Sequence, residues 1–221
     1  AAALRALQEA HAESMAVVRL DVSCPESVAA AAAEVGDHPL SASEQGPVVH
    51  MLLNTAGVLQ DKSRGIVPEN GLSRVEPAAV AASFAVNAIG PLSVMQRFAP
   101  LLRRAAAQGA QGLPGTAAAA AVFYSARVGS IGDNRTGGWY AYRGSKAALN
   151  QFVRCSAVEL RRHGVCVVAM HPGTVDTDLT RAFSRARAKY EVQEVETAAR
   201  NHLEIVDSLT MQDTGRFLDW R

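Results

Sequence analysis

A doubly wound α/β fold, with a parallel sheet covered by helices on both faces, is the architecture this sequence predicts. Three observations carry the prediction. Short apolar runs alternate with longer stretches of helical character along the 221 residues. The runs, such as Val48 to Leu53, broken only by His50, and Val165 to Met170, are apolar rather than alternating, as strands buried on both faces are. Each run is closed by turn chemistry: Ser23 and Pro25, Ala56-Gly57, the Gly129 to Gly138 loop, and His171-Pro172-Gly173.

Taken in order, Ala1 to Ala16 is alanine-rich with Leu4 and Leu7 spaced as on a helix. Val17 to Val22 is a β-branched run and predicts a strand. Glu26 to Val35 predicts a helix, with Ser23 placed to cap it. Gly36 to Pro47 is a polar loop, and Val48 to Asn54 a buried strand. Gln60 to Arg74 reads as loop. Pro77 to about Ala107 carries a long helical pattern in which Pro91 predicts a kink. Gln108 to Thr116, with three glycines and Pro114, is a connector. Ala117 to Ser125 is assigned as a strand despite the helix propensity of its alanines. A helix is expected from about Trp139 to His163, stopped by Gly164, then a strand over Val165 to Met170. Asp178 to about Leu209 reads as mostly helical, charged and amphipathic. No internal repeat occurs, and residues 1–221 read as a single domain.

Composition narrows the function. Apolar residues make up 48% and charged residues 19%, enough for a sizeable core and against bulk disorder. Lys and Arg number 22 against 21 Asp and Glu, a net charge of +1, which removes the electrostatic case for nucleic acid as a partner. No unbroken apolar run reaches the roughly 18 residues of a membrane span, so no membrane partner is expected. Cys24, Cys155 and Cys166 are scattered, without a C-x-x-C spacing, which argues against a disulfide framework or zinc site and fits a reducing, cytoplasmic setting. An organelle stays open, because the chain starts at Ala1 rather than Met. No metal site is expected: His171 has no second ligand at suitable spacing, and Asp176 and Asp178 read as acids at a helix start.

The chemistry concentrates in Tyr142-Arg143-Gly144-Ser145-Lys146. Positions i and i+4 share one helix face, so the phenol and the ammonium are neighbours. A tyrosine is a poor acid near neutrality, with a pKa of about 10. A lysine close by in a dry pocket favours the phenolate. Lowering that pKa by about 3 units takes roughly 4 kcal/mol. Such a tyrosine can pass a proton to or from a carbonyl oxygen. Asn54 to Gly57 closes one predicted strand, Ser125 ends another, His171 to Thr174 leaves the next, and Asn87 sits in the long helix between the first two. In a parallel sheet the carboxyl ends of the strands converge on the ligand crevice.

Together these residues resemble the short-chain dehydrogenase/reductase family, in particular its sniffer-like or C-factor-like carbonyl-reductase branch. The resemblance rests on the stretch from Ser125-Ala126-Arg127-Val128-Gly129-Ser130 to Asn134, on Gly137-Gly138-Trp139-Tyr140-Ala141-Tyr142 through Lys146 to Asn150, and on about Leu20 to Leu179 as a whole. It implies a Rossmann-like fold and hydride transfer between a nicotinamide cofactor and a small carbonyl substrate. NADP(H) is expected ahead of NAD(H). It implies that Tyr142 is the general acid/base and that Lys146 lowers its pKa and holds the nicotinamide ribose. Asn87 would kink its helix and place a relay water. Asp21 and Val22 would face the adenine, and Asn54, Ala56 and Gly57 would line the adenine-ribose side. Pro172, Gly173, Thr174, Val175 and Thr177 would hold the nicotinamide end. A homodimer or homotetramer through the two long helices is the expected assembly.

Two departures from the family pattern stand out. Members often close the strand before this loop with two serines, the second facing the substrate carbonyl. Here the pair is Ser125-Ala126. Ser125 is assigned the role, with Ser130 as the alternative. The glycine-rich turn of the first β-α-β unit, which seats the pyrophosphate at a helix N-terminus, does not occur in the sequence. The expectation is therefore an N-terminally truncated domain lacking its first β-α-β. The competing reading is a non-catalytic, C-factor-like signalling or interaction protein, or an inactive fragment.

Overall fold

Four parallel strands organise the molecule, here a computed structural model that describes residues 2–109, 119–181 and 191–221. They are β1 (Met51–Asn54), β2 (Ala119–Tyr124), β3 (Val165–His171) and β6 (Phe217–Asp219), side by side in that order. A separate parallel pair joins β4 (Thr174–Val175) to β5 (Val192–Gln193). The helices are α1 (Ala2–Ala10), α2 (Pro25–Asp37), α3 (Pro77–Phe84), α4 (Gly90–Gln108), α5 (Tyr140–Leu160), α6 (Asp178–Arg181) and α7 (Val195–Asp207). Register places Asn54 beside Phe123 and Ala169 beside both Phe123 and Phe217, so the strands end together at one edge.

The period of two in a strand divides the core. Ala119, Ala121 and Phe123 of β2, with Val165, Val167 and Ala169 of β3, face Leu102, Leu149, Val153 and Ala157 of α4 and α5. The intervening Ala120, Val122, Cys166, Val168 and Met170 face Val206 and Leu209 at the end of α7. Both faces of β2 and β3 are therefore covered, as their continuous apolar runs demand, whereas β1, expected to be a buried strand, exposes Met51 and Leu53 on one face because no described helix packs there. Burial on both faces also explains why an alanine-rich segment is a strand: the space between two helical layers, not propensity, decides. On a third surface Val28 of α2 packs on Val94, Phe98 and Leu101 of α4.

Several local expectations are corrected. Val17 to Leu20 takes part in no ladder. A strand needs a partner for its main-chain groups, and no described strand adjoins this run. Ser23 does not cap α2, whose first residue is Pro25 after Cys24. Its amide and hydroxyl instead both donate to Asp21 Oδ1, at 2.9 and 2.7 Å. The irregularity in the long helix lies at Ala85–Ile89, one π-helical turn, rather than at Pro91 itself. Pro91 causes it from four residues away: it has no N–H for the Asn87 carbonyl, and its ring crowds that oxygen. The helical stretch Pro77–Gln108 is long and apolar enough to cross a membrane, but half of its most apolar window is buried within this fold. The helix expected over Asp178 to Leu209 is interrupted by β5, which finds a partner in β4. The connector expected over Gln108 to Thr116 falls mostly outside the described residues. Cys24, Cys155 and Cys166 are all free.

Candidate active site

Lys146 and Tyr142 sit one helical turn apart on α5, and the fold brings three other elements to them. Lys146 is only 3% exposed. Its Nζ donates to the carbonyl of Tyr124, the last residue of β2, at 2.8 Å and lies 5.9 Å from the centroid of the Tyr142 ring. Gly129 lets the loop after β2 close on the same helix: a Cβ there would come within 2.9 Å of the Lys146 backbone and Cβ. At the end of β1, a Cβ on Gly57 would stand 3.3 Å from Lys146 Nζ and 3.5 Å from Asn87 Oδ1. Gly57, Asn87 and the Tyr142–Lys146 pair thus converge from three parts of the chain.

Asn87, fully buried in the π-helical turn, ties that turn to the others. Its Oδ1 accepts from Val58 N at 2.7 Å, and its Nδ2 donates to Val58 O at 2.8 Å and to Ser145 Oγ at 3.1 Å. One amide side chain therefore fixes the segment after β1 to the helix that bears Tyr142 and Lys146.

Electrostatics at this point follow from dryness. Burial pushes the Lys146 ammonium down to about 8 and the Tyr142 phenol up to about 12. Desolvation, rather than the lysine, dominates the phenol. The same dryness strengthens the attraction between the two when the phenol loses its proton. With Nζ 5.9 Å from the ring centre, the ammonium favours the phenolate and works against that rise.

The other expected residues are placed as follows. Pro172, Gly173, Thr174 and Val175 leave the carboxyl end of β3, and Gly173 has φ of +80°. A side chain there would run into the Gln193 amide and the Trp220 indole. The Pro172 carbonyl accepts from Gln193 Nε2 at 3.1 Å and from His202 Nε2 at 3.0 Å. Thr177 starts the turn into α6, its amide donating to Val175 O at 2.8 Å. Asn54 is buried at the end of β1, and Ala56 is half-buried just beyond it. Val22 reaches the π-helical turn, where a Cβ on Gly90 would be 2.5 Å from its carbonyl. Asp21 is exposed, and the Ser23 hydrogen bonds hold its carboxyl below the ordinary range.

Among the described residues, neither serine makes a hydrogen bond to the Tyr142 hydroxyl. Ser125 Oγ donates to Asn150 Oδ1 at 2.6 Å. Asn150 lies on the Tyr142–Lys146 stripe but two turns on, about 12 Å along the helix. Ser130 lines a cleft of about 340 Å³ whose α5 residues are Tyr140, Arg143, Gly144 and Ala147, a different face from that of Tyr142 and Lys146. Asn150, Gln193, His202 and Glu69 were not legible as site residues. Only Asn150 carried a signal, as the i+8 partner of Tyr142.

The cradle fits a nicotinamide cofactor. Lys146 Nζ gives one of its three N–H donors to the Tyr124 carbonyl, and a ribose hydroxyl can accept from another; at the adjoining strand ends, glycine at 57 and 173 keeps the chain free of side chains. No group of three metal-ligating side chains exists among the described residues.

Comparison with known proteins agrees with this geometry. The chain is 32% identical over 198 residues to 1-hydroxy-2-glutathionyl-2-methyl-3-butene dehydrogenase of Rhodococcus sp. (strain AD45), covering 90% of this chain and 74% of that one. It is 35% identical over 176 residues to C-signal of Myxococcus xanthus, covering 80% and 90%. NADPH-bound carbonyl reductase from chicken fatty liver superposes with a TM-score of 0.78 at 30% identity, over 98% of this chain and 79% of that one. The profile of the short chain dehydrogenase family matches residues 1–188. With this match spanning the strand ends, Asn87, Tyr142 and Lys146 alike, the chain belongs to the short-chain dehydrogenase family.

Proposed function

We propose that this protein reduces the carbonyl group of a small aldehyde or ketone, with NADP(H) as cofactor and Tyr142 as the proton donor. The carrying observation is the buried Lys146 ammonium, 5.9 Å from the Tyr142 ring, where Gly57 and Asn87 meet at the carboxyl edge of the sheet. The likeness to an NADPH-bound carbonyl reductase supports NADP(H) over NAD(H).

When bound, the cofactor supplies the hydride. Tyr142 gives its proton to the carbonyl oxygen, and Lys146 stabilises the phenolate left behind. The Tyr124 carbonyl holds Lys146 in place for this. Lys146 and the residues from Pro172 to Thr177 would hold the nicotinamide half, while Asn54, Ala56 and Gly57 would line the far side. Asp21 and Val22 would flank the adenine. Asn87, whose carbonyl is denied its usual i+4 donor by Pro91, supports a role in relaying the proton to solvent. Ile89, Leu92 and Val158, exposed on the long helices, support a homodimer or homotetramer.

The test is reduction of a panel of aldehydes and ketones, followed by NADPH absorbance, in the wild type and Tyr142→Phe. The variant is expected to lose at least about 10²-fold in kcat while binding NADPH with unchanged affinity by fluorescence titration. A Tyr142→Phe protein that turns over at the wild-type rate overturns the reading. A folded wild-type chain that binds neither NADPH nor NADH does so too, and leaves the non-catalytic alternative that the likeness to C-signal allows.

A further inference from the structure

The segment that leads into α5 is strained, and its restraint comes from far away. Gly137, Gly138 and Trp139 have φ of +63°, +67° and +52° in succession. Trp139 is the only non-glycine among the described residues with positive φ. Such a conformation costs about 1–3 kcal/mol and persists only where the surroundings impose it.

Glu69 imposes it. This residue is 5% exposed and sits in the loop between β1 and α3. Its main-chain carbonyl accepts from Trp139 N at 2.7 Å, and Gly138 passes so near that a Cβ would stand 3.2 Å from that oxygen. Its two carboxyl oxygens lie 3.2 and 3.4 Å from Ala141 N, across 72 residues of sequence. The first amides of a helix have no partner within the helix, and the N-cap residue Trp139 offers no side-chain cap. Glu69 takes that place.

Both residues it holds adjoin the proton donor. Ala141 precedes Tyr142, and the Trp139 indole meets the Tyr142 ring edge to face, with centroids 6.2 Å apart and planes at 76°. Lys146, one turn on, has separate restraints in the Tyr124 carbonyl and the close packing of Gly129. Slack at Glu69 would therefore shift Tyr142 while leaving Lys146 seated. A displacement of about 1 Å at a reacting group can cost about 10²-fold.

We propose that Glu69 is a positioning residue for Tyr142: by pinning Trp139 and Ala141 it sets the first turn of α5, and with it the Tyr142 hydroxyl. The proposal rests on Tyr142 being the proton donor. A buried cap that served stability alone would, on removal, lower folding stability without singling out proton transfer.

The experiment measures kcat, KM for the carbonyl, NADPH affinity, melting temperature and the effect of D2O on kcat in Glu69→Ala and Glu69→Gln. For Glu69→Ala, kcat is expected to fall about 10- to 100-fold. The carbonyl KM and NADPH affinity should stay within about twofold, and the D2O effect should grow as proton transfer becomes limiting. Glu69→Gln keeps an acceptor oxygen at the same reach and should restore kcat to within about threefold. Where Glu69→Ala does not fold, Glu69→Asp carries the test: its oxygens are withdrawn by one methylene, and the same fall in kcat with unchanged NADPH affinity is expected. A folded Glu69→Ala with wild-type kcat overturns the proposal. So does a fall in kcat matched by equal weakening of NADPH binding with no change in the D2O effect. Tyr142→Phe separates the two failures: if it is inactive while Glu69→Ala is fully active, only the role of Glu69 falls.

Discussion

Lys146 is the residue at which stability and chemistry conflict. A charged ammonium that is 3% exposed is held at a cost, and its pKa falls from 10.5 to about 8 for that reason. Below pH 8 the folded and unfolded chains are both charged there, and the full penalty applies. Between about 8 and 10.5 the unfolded chain binds more protons than the folded one, so stability rises with pH over that window. The opposite holds for Tyr142, raised from 10.0 to about 12 by burial: above pH 10 the folded chain holds the extra proton, and stability falls. Lys146→Met removes the first effect. Denaturant titrations are expected to show the difference in unfolding free energy between Lys146→Met and wild type shrinking by about 3 kcal/mol from pH 7 to pH 10.5. A difference that stays flat over that range would mean the ammonium is solvated. The pairing of Tyr142 with Lys146 was legible because i,i+4 spacing is local. The dryness that gives it force was not, since it depends on Tyr124, Gly129 and Gly57, contacts that leave no periodic mark in the sequence.

Elements became legible to the extent that their partners lie close in sequence or their burial is uniform. β3 and α5 fall within a few residues of expectation, because a continuous apolar run bounded by Gly164 and Pro172 admits little else. The strand expected at Val17 to Val22 failed because residue type sets what a strand packs against, not whether a ladder partner stands beside it. β5 was hidden in a helical pattern for the converse reason, with only two residues paired to β4. It touches the loop proposed to hold the nicotinamide end, as does α7. Gln193 of β5 and His202 of α7 both donate to the Pro172 carbonyl. With Nε2 carrying the proton, His202 Nδ1 accepts from the Tyr124 hydroxyl at 3.3 Å. Tyr124 thus anchors Lys146 through its carbonyl and the Pro172 loop through its ring. His202→Ala leaves both groups short of a partner. It is expected to weaken NADPH binding about 10-fold by fluorescence titration, since a lost buried hydrogen bond costs about 1–3 kcal/mol. Unchanged affinity would show that the loop is held without α7.

At the scale of the molecule, every placement of function depends on the strands running in one direction. A parallel sheet delivers all its carboxyl ends to one edge, and helix N-termini begin there as well. The edge holds Asn54 to Val58, Tyr124 to Gly129 and His171 to Thr177. The start of α5 reaches it from the loop beyond β2, and Asn87 is tied to it through Val58. The opposite edge holds the starts of Met51, Ala119 and Val165, with Gly164 and the end of α4. A ligand confined to the first edge should slow amide exchange there and leave the second untouched. Hydrogen–deuterium exchange with saturating NADPH is therefore expected to protect peptides covering 54–58, 124–130 and 171–177. Peptides covering 100–108 and 160–165 should be unaffected. Such a map distinguishes site binding from general stiffening, because tightening of the whole fold would slow the core of α4 and α5 from end to end. Protection at the second edge alone would place the ligand under the sheet's amino ends, where Tyr142 cannot reach it.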